Sequence, residues 1–457
     1  MTKDLQQESE LGTQPIGKLL MKYSIPCVIS LLINALYNVV DQIFIGRGVG
    51  YLGNGATNVV FPLTITAAAL AMMIGDGGAA WLSLKSGEGD KKMADKGVGN
   101  AIMLSVIVAV VFFVICLFFL KPLLYVFGCT EIIYPYAFDY GKVIIIGLPF
   151  MIFCTVMSSI IRADGSPKYA MIIMLSGCVL NVILDAIFIF PLQLGVVGAA
   201  WATITGQFVS AVISILYLKR FKIVTLDKEA LKLKAGVCGN ICLLGISSFI
   251  NQATVVAVSG VANNLMKKYG ADSIYGAEIP LTAMGITMKV NSILLALIIG
   301  VASGAQPIVG YNYGARKFGR VKKTYKTAML TAVVIAVICT LIFQLKPMLL
   351  ISLFGAEEGL YNEFAQKCFR IFLLLCICSS LHTVTCIFLQ SIGRSIKSAV
   401  LSLSRQIIFF IPLAIVMSGV MGLEGVLWAG PVADTLAFVL AMILVIYELK
   451  KMKGTEV

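Results

Sequence analysis

Long apolar runs, broken by short polar and basic segments, fill the chain from about residue 24 to 448. A bilayer core of ~30 Å takes about 20 apolar residues of helix. By that measure twelve spanning helices are predicted, near 24–45, 57–83, 98–120, 140–161, 169–190, 196–218, 238–262, 279–309, 327–345, 368–390, 398–418 and 425–448. The second and eighth runs are longer than a bilayer needs, which predicts tilt, a kink or protrusion. The expected fold class is therefore an all-α polytopic membrane protein.

The pattern repeats at an offset of 227 residues: Gly87 matches Gly314, and Gly198, Trp201 and Ala202 match Gly425, Trp428 and Ala429. With small shifts, Leu120-Lys121-Pro122 resembles Leu345-Lys346-Pro347, and Ala163-Asp164-Gly165-Ser166 falls where Ser391-Ile392-Gly393-Arg394 recurs. Each half holds six spans, so the two six-helix bundles share orientation and should be related by a pseudo-two-fold axis along the membrane normal. The expected organisation is a tail (1–22), an N-lobe (23–218), a linker (219–237), a C-lobe (238–448) and a second tail (449–457). Two like bundles facing a central cleft can rock about it, which is the architecture of alternating access.

Composition agrees. Of 457 residues, 59% are hydrophobic and 13% charged, with a mean hydropathy of +0.94; soluble domains run near 45–50% and about 25%. Water-soluble enzymes, nucleic-acid binders and disordered regulators are excluded. The net charge of +13 is a matter of topology. Of 36 Lys and Arg, 26 lie on the side of both tails, seven on the other side and three within spans. By the positive-inside rule this places both termini in the cytoplasm of a cell-membrane protein. No nucleic acid and no obligate protein partner are required, only the lipid bilayer. The polar, acidic Met1–Gln14 segment does not read as a cleavable signal. Twelve mostly apolar-flanked cysteines without a CxxC pair, and a single histidine, His382, argue against disulfides, zinc and histidine catalysis. There is no GxxxxGK[ST] loop, so ATP is not the expected driving force. An ion gradient or the substrate's own gradient is, with no cofactor and no enzymatic step.

Acids inside spans cost about 2.5 to 3.5 kcal/mol on insertion scales and are functional by default. Asp41, Asp76, Asp185 and Asp434 are such acids. Asn34, Asn38 and Asp41 fall at i, i+4 and i+7, with Tyr37 beside them; Asn181 and Asp185 share a face; Thr203, Gln207 and Ser210 form a third stripe. Lipid cannot satisfy such stripes, so all three should turn into one chamber of the N-half. Aromatic faces attract cations, which makes Tyr37, Phe61, Phe150, Phe153 and Phe188 candidates for its wall, beside Asn34, Asn38 and Gln207. In the C-half, Lys289, Arg405 and Asp434 read as a structural ion pair, and His382 as a satisfied buried side chain. Asp76 sits within Ile74-Gly75-Asp76-Gly77-Gly78, where glycine permits close packing or a broken helix, and reads equally as structural or functional.

The string Leu36-Tyr37-Asn38-Val39-Val40-Asp41-Gln42-Ile43-Phe44-Ile45-Gly46 resembles the first span of the multidrug and toxic compound extrusion (MATE) family. So does Leu180-Asn181-Val182-Ile183-Leu184-Asp185 with the following Gly195-Val196-Val197-Gly198-Ala199-Ala200, and so does Gln306-Pro307-Ile308-Val309-Gly310-Tyr311-Asn312-Tyr313-Gly314-Ala315-Arg316. The likeness covers nearly the whole chain and is greatest to the bacterial MepA-like branch. It implies a secondary antiporter that expels small cationic, amphipathic compounds in exchange for H⁺ or Na⁺. It also implies an N-lobe coupling site at Asp41, Asn181, Asp185 and Thr203, all positions on the three stripes. Another branch uses acids of the seventh and tenth spans; here those spans offer Asn251, Gln252 and Gln390, and Asp185 maps by the repeat to Pro412. Coupling is therefore expected in one lobe only. Two carboxylates with an amide and a hydroxyl suit a proton or an all-oxygen Na⁺ site, and the residues leave that choice open. Rival readings are a major facilitator superfamily drug/proton antiporter, which shares twelve spans in two parallel halves, and a lipid-linked oligosaccharide flippase of the wider superfamily, for which a basic cavity is expected.

Overall fold

The computed structural model describes residues 10–49, 51–127, 129, 131–276, 278–352 and 359–452; residues 1–9 and 453–457 of the two tails lie outside the described residues. A short helix α1 (Glu10–Thr13) precedes α2 (Ile16–Gly48), α3 (Tyr51–Glu88), α4 (Lys91–Val126), α5 (Tyr134–Ala163), α6 (Pro167–Ile189) and α7 (Gly195–Tyr217). The second half contains α8 (Ala235–Ala271), α9 (Glu278–Gly314), α10 (Phe318–Leu345), the short α11 (Pro347–Ile351), α12 (Leu360–Phe372), α13 (Cys376–Ser391), α14 (Ser395–Leu403), α15 (Ile411–Met421) and α16 (Leu423–Lys451). A π-helical stretch, Ser404–Phe410, joins α14 to α15 into one span. Among the described residues eleven helical stretches are long and apolar enough to cross a membrane, and α12 with α13, bent by 48°, make a twelfth when taken as one span. Every predicted run falls on one of these; the tenth, 368–390, falls on the bent pair. Local chemistry sets several starts. Asp90 caps α4 by accepting from Met93 N at 3.1 Å, and Pro167 opens α6, where a missing N–H costs nothing.

The repeat is visible in the backbone as well. Left-handed residues recur in pairs at the same offset: Gly89 (φ 77°) with Arg316 (57°), Gly195 (59°) with Gly422 (62°) and, one residue shifted, Gly165 (87°) with Gly393 (77°).

Among the described residues two large hydrophobic cores form, beside a smaller third around Ala262, Phe410, Ala414 and Ala433. One centres on α3–α7, with Leu82, Ile145, Ile152 and Met157 fully buried; the other centres on α9, α10, α12, α13 and α16, with Ile298, Phe364 and Phe369. The ends of α2 and α8 cross between them. Leu19, Leu20 and Tyr23 of α2 join the second core, and Val237, Ile241 and Leu244 of α8 join the first.

Where the lobes meet, backbone touches backbone. A Cβ on Gly87 would lie 2.0 Å from the Tyr311 carbonyl oxygen, and one on Gly314 would lie 2.2 Å from that of Leu84. Tyr311 is itself the repeat mate of Leu84, so the pseudo-two-fold axis runs through this α3–α9 crossing. On either side, a Cβ on Gly77 would meet Ile241 O at 2.1 Å, and one on Gly245 would meet Met73 O at 1.8 Å. On the opposite flank a Cβ on Gly304 would lie 2.5 Å from Ser24 Cα, and one on Gly300 would lie 2.7 Å from Val28 Cα. This glycine seam closes the half of the molecule on the side of the chain ends.

The linker is pinned at both ends. Asp164 accepts from Tyr217 Oη at 2.7 Å, Lys222 N at 2.8 Å and Ile223 N at 2.9 Å. Fully buried Asn100 donates to Lys96 O (2.8 Å), Lys232 O (3.1 Å) and Ala230 O (3.3 Å), and accepts from Lys234 N (2.7 Å). Removing one side chain would orphan several buried backbone groups. Asn100→Ala is therefore expected to cost about 3 kcal/mol, read as a lowered unfolding midpoint of the purified protein and faster proteolysis within residues 219–234.

Candidate functional site

Above the seam lies a cavity of about 810 Å³ between the lobes, within the usual range for small-molecule sites. Its N-lobe wall includes Asn34, Tyr37, Asn38, Asp41, Phe61, Asn181, Thr203 and Gln207. The three polar stripes thus converge, as their helical spacing requires. Met72, Met151, Met171 and Met174 also line it, and unbranched thioethers adapt to irregular ligands.

Three expected wall residues are elsewhere. On α5 the cavity face is Met151, Cys154, Thr155, Ser158, Ser159 and Arg162; Phe150 and Phe153 fall off that 3.6-residue register. Phe150 packs edge-on against Phe208 with ring centroids 5.3 Å apart, and Phe153 packs on the N-lobe core. Phe188 shares the Asn181 face but sits a turn beyond the cavity, its Cβ against Gly198 of α7. Asp185 also does not line the cavity. It is fully buried, one layer behind Asp41.

Asp41 and Asp185 are near neighbours, close enough for their charges to act on one another. Asn181 Nδ2 donates to Thr203 Oγ1 at 3.2 Å. Oδ1 of Asp41, Oδ1 of Asn181 and both carboxyl oxygens of Asp185 are buried with no donor from the protein. A carboxylate pair can only accept, and two such groups in contact repel unless a cation neutralises one. Four donorless oxygens beside a hydroxyl therefore form a site for a proton or a small oxygen-loving cation. Among the described residues no three His, Cys, Asp or Glu side chains cluster as a conventional metal site.

The floor of the cavity is polar and bridges the lobes. Asp76 of α3 accepts from Ser159 Oγ at 3.0 Å and has Arg162 Nη2 at 3.6 Å. Its other oxygen accepts from Ser248 of α8 at 2.9 Å, and its carbonyl accepts from Gln306 Nε2 of α9 at 3.3 Å. Gln390 Nε2 reaches Ser248 Oγ at 3.2 Å. Asp76 thus holds a cross-lobe clasp directly above the seam. Arg162 was expected in a loop. The α5 helix continues to Ala163 and turns Arg162 inward, one step along the face from Ser159.

In the C-lobe wall, Arg405 Nε donates to Asp434 Oδ1 at 2.7 Å. The surrounding π-helical turn (Ser404–Phe410) displaces Arg405 from α-helical register, a deviation frequent at functional sites. The expected three-membered cluster is a pair: Lys289 lines the cavity without joining it. His382 is satisfied by Leu401 O at 3.1 Å.

The model of the MatE family matches residues 26–187 and 273–416. The chain is 26% identical over 438 residues to a protein named multidrug export protein MepA from Staphylococcus saprophyticus, covering 94% of this chain and 93% of that one. It is 28% identical to the MepA of Staphylococcus haemolyticus over 440 residues, with 94% and 93% coverage. Among solved structures, an outward-facing multidrug resistance MATE transporter superposes with a TM-score of 0.91 at 24% identity, covering 98% of each chain. A MATE structure in complex with MaL6 also gives 0.91, at 23% identity, covering 98% of this chain and 99% of that one. These structures share the twelve-span, two-lobe fold, and the family match sets aside the major facilitator reading.

Proposed function

From the premise that this chain belongs to the MatE family and is a multidrug efflux transporter, we propose that it expels cationic, amphipathic compounds in exchange for H⁺ or Na⁺, with Asp41 and Asp185 as the shared binding pair. The observation that carries this reading is the set of donorless oxygens at Asp41, Asn181 and Asp185, beside a cavity sealed on the side of the chain ends. The positive-inside count assigns that sealed side to the cytoplasm of the cell membrane, so the conformation is outward-facing.

The acid pair is neutralised either by a drug cation or by one or two small ions, and not by both at once. A drug cation entering from the cytoplasm lies in the cavity against Asp41, its apolar body on Phe61, Tyr37 and the methionines. After the lobes rock, an external ion takes the pair and the drug leaves. The loaded ion travels inward as the lobes reverse, and Thr203 and Asn181 complete its oxygen shell if it is Na⁺. One ion exchanged for one monovalent drug moves no net charge, so the ion's own gradient drives that step. A second ion adds the membrane potential at about 2.3 kcal/mol per 100 mV, enough to exceed a tenfold drug gradient of ~1.4 kcal/mol.

The test is ethidium efflux from proteoliposomes under an imposed pH gradient or an imposed Na⁺ gradient, each without the other. One of the two is expected to drive uphill efflux; failure of both would sink the proposal.

A further inference from the structure

The chain changes lobes along its first long helix. Ile45, near the end of α2, packs in the N-lobe core, whereas Leu19, Leu20 and Tyr23 at its start pack in the C-lobe core. Ser24 Oγ donates to Val301 O of α9 at 3.1 Å. The residues before α2 reach further into the C-lobe. Leu11 is buried there, and side chains around the α9–α10 turn hold the carbonyls of this segment. Arg320 Nη2 donates to Gln14 O at 2.7 Å and to Leu11 O at 3.1 Å. Asn312 Nδ2 donates to Leu11 O at 2.9 Å, and Lys317 Nζ to Gly12 O at 3.3 Å. Arg320 Nε also donates to Asn312 Oδ1 at 3.0 Å, which orients that amide towards Leu11. Hydrogen bonds from a charged donor are among the stronger ones. None of these residues lines the cavity.

The second half is built to the same plan. Helices α4 and α10 begin at repeat-equivalent positions, Lys91 and Phe318. The segment leading into α8 lies across the start of α4, where the Asp95 carboxylate accepts from Thr225 N at 3.0 Å and Thr225 Oγ1 at 2.9 Å. The segment leading into α2 lies across the start of α10. Each lead-in thus docks on the half opposite to the one its helix enters. There is no slack before α2: Gln14 and Pro15 alone separate it from α1, and two residues span about 7 Å at most. Opening the seam takes Ser24 and Val28 of α2 away from Gly304 and Gly300 of α9. Helix α2 cannot withdraw in this way without pulling residues 10–14 off Arg320.

We infer that residues 10–14 form a latch on the C-lobe, and that Arg320 is the positioning residue that sets how readily the cavity opens on the side of the chain ends. The inference rests on the proposed reading that the lobes rock to expose the cavity alternately. It adds a control point outside the cavity, since Arg320 meets neither drug nor ion. While the cavity faces the other side, the latch and the glycine seam hold the same closure. Release of the latch then belongs to every turn of the cycle.

The test measures distances between spin labels at exposed Lys91 and Lys322, each replaced by cysteine in a full chain without its native cysteines. The shorter distance, with the seam shut, is expected to dominate in the otherwise unaltered protein. Arg320→Gln should raise the ratio of the longer to the shorter distance about tenfold, the worth of one hydrogen bond from a charged donor in a two-state balance. Gly12→Val leaves Arg320 in place but sets bulk against Tyr311, whose Cε1 would lie 2.9 Å from the added Cβ. It should shift the ratio in the same sense. In the Gly12→Val background, Arg320→Gln should add less than twofold, because Arg320 acts through the segment already unseated. Lys326→Gln, which removes an exposed charge from the same helix, should leave the ratio unchanged. A folded variant keeps the two distances and alters their proportions. An unshifted ratio in Arg320→Gln, an equal shift in Lys326→Gln, or a full tenfold shift added to Gly12→Val would each overturn the latch. The distances are read without drug or gradient, so failure of both gradients to drive efflux would count against the antiport proposal alone.

Discussion

Replacing Asp185 by Asn is expected to leave a folded transporter that binds ethidium within a few-fold of wild type but loses ion-driven efflux by about 100-fold, the upper range of coupling energies between sites. The substitution keeps the shape of the side chain and turns one of its acceptors into an amide donor. That donor can bond the neighbouring Asp41 carboxylate, which has a buried oxygen with no protein donor. The repulsion that makes the pair demand a cation is then gone. Asp41 faces the cavity and Asp185 lies behind it, so the two variants should differ. Asp41→Asn removes the charge that meets the drug and should weaken ethidium binding about tenfold as well as abolishing exchange. The readouts are dye binding without a gradient and efflux with one, in the same preparations. Full ion-driven efflux in both variants would remove the coupling site from this lobe.

Much of this architecture is legible in the amino-acid sequence, for identifiable reasons. Twelve apolar runs announce twelve spans because lipid imposes a length on helices. The stripes at Asn34-Asn38-Asp41 and Asn181-Asp185 announce the acid site because neither helix has another place to put them. Composition cannot say which side of a helix an isolated aromatic takes. Phe150 and Phe153 therefore looked like wall residues, although the α5 register through Met151, Cys154 and Ser158 turns them away. Arg162 was hidden by a different ambiguity, since a basic residue at the end of an apolar run reads equally as a loop or as a last helical turn. Its partner Asp76 lies 86 residues away, and only the tertiary fold joins them. The seam was latent in the repeat. Gly77 and Gly87 have mates at Gly304 and Gly314 at the same 227-residue offset, and glycine retained in both halves of a span signals close backbone approach. Lys289 has no acidic repeat mate, since its equivalent is Pro62. Lys289, Arg405 and Asp434 read as one cluster because all three are charges within C-half spans, and the structure pairs only Arg405 with Asp434.

The seam carries the second large prediction. Adding one methyl group at Gly245 would place a Cβ 1.8 Å from the Met73 carbonyl oxygen. That oxygen belongs to helical backbone and cannot swing aside as a side-chain end would, so α3 and α8 must separate. Overpacking of this kind costs about 1–3 kcal/mol, and the whole cost falls on the conformation in which the seam is shut. Each ~1.4 kcal/mol shifts a two-state balance tenfold. Gly245→Ala should therefore favour the state open on the side of the chain ends and slow efflux about tenfold or more. Spin labels at exposed Lys91 and Lys322, introduced as cysteines in a background without the native twelve, should move apart. Gly239→Ala supplies the control: it lies on the same helix, and a Cβ there would meet nothing within 4 Å. That variant loses the same glycine flexibility without touching α3. If Gly245→Ala matches it in label separation and in efflux, the glycine contacts are ordinary helix packing and the lobes are not sealed by them.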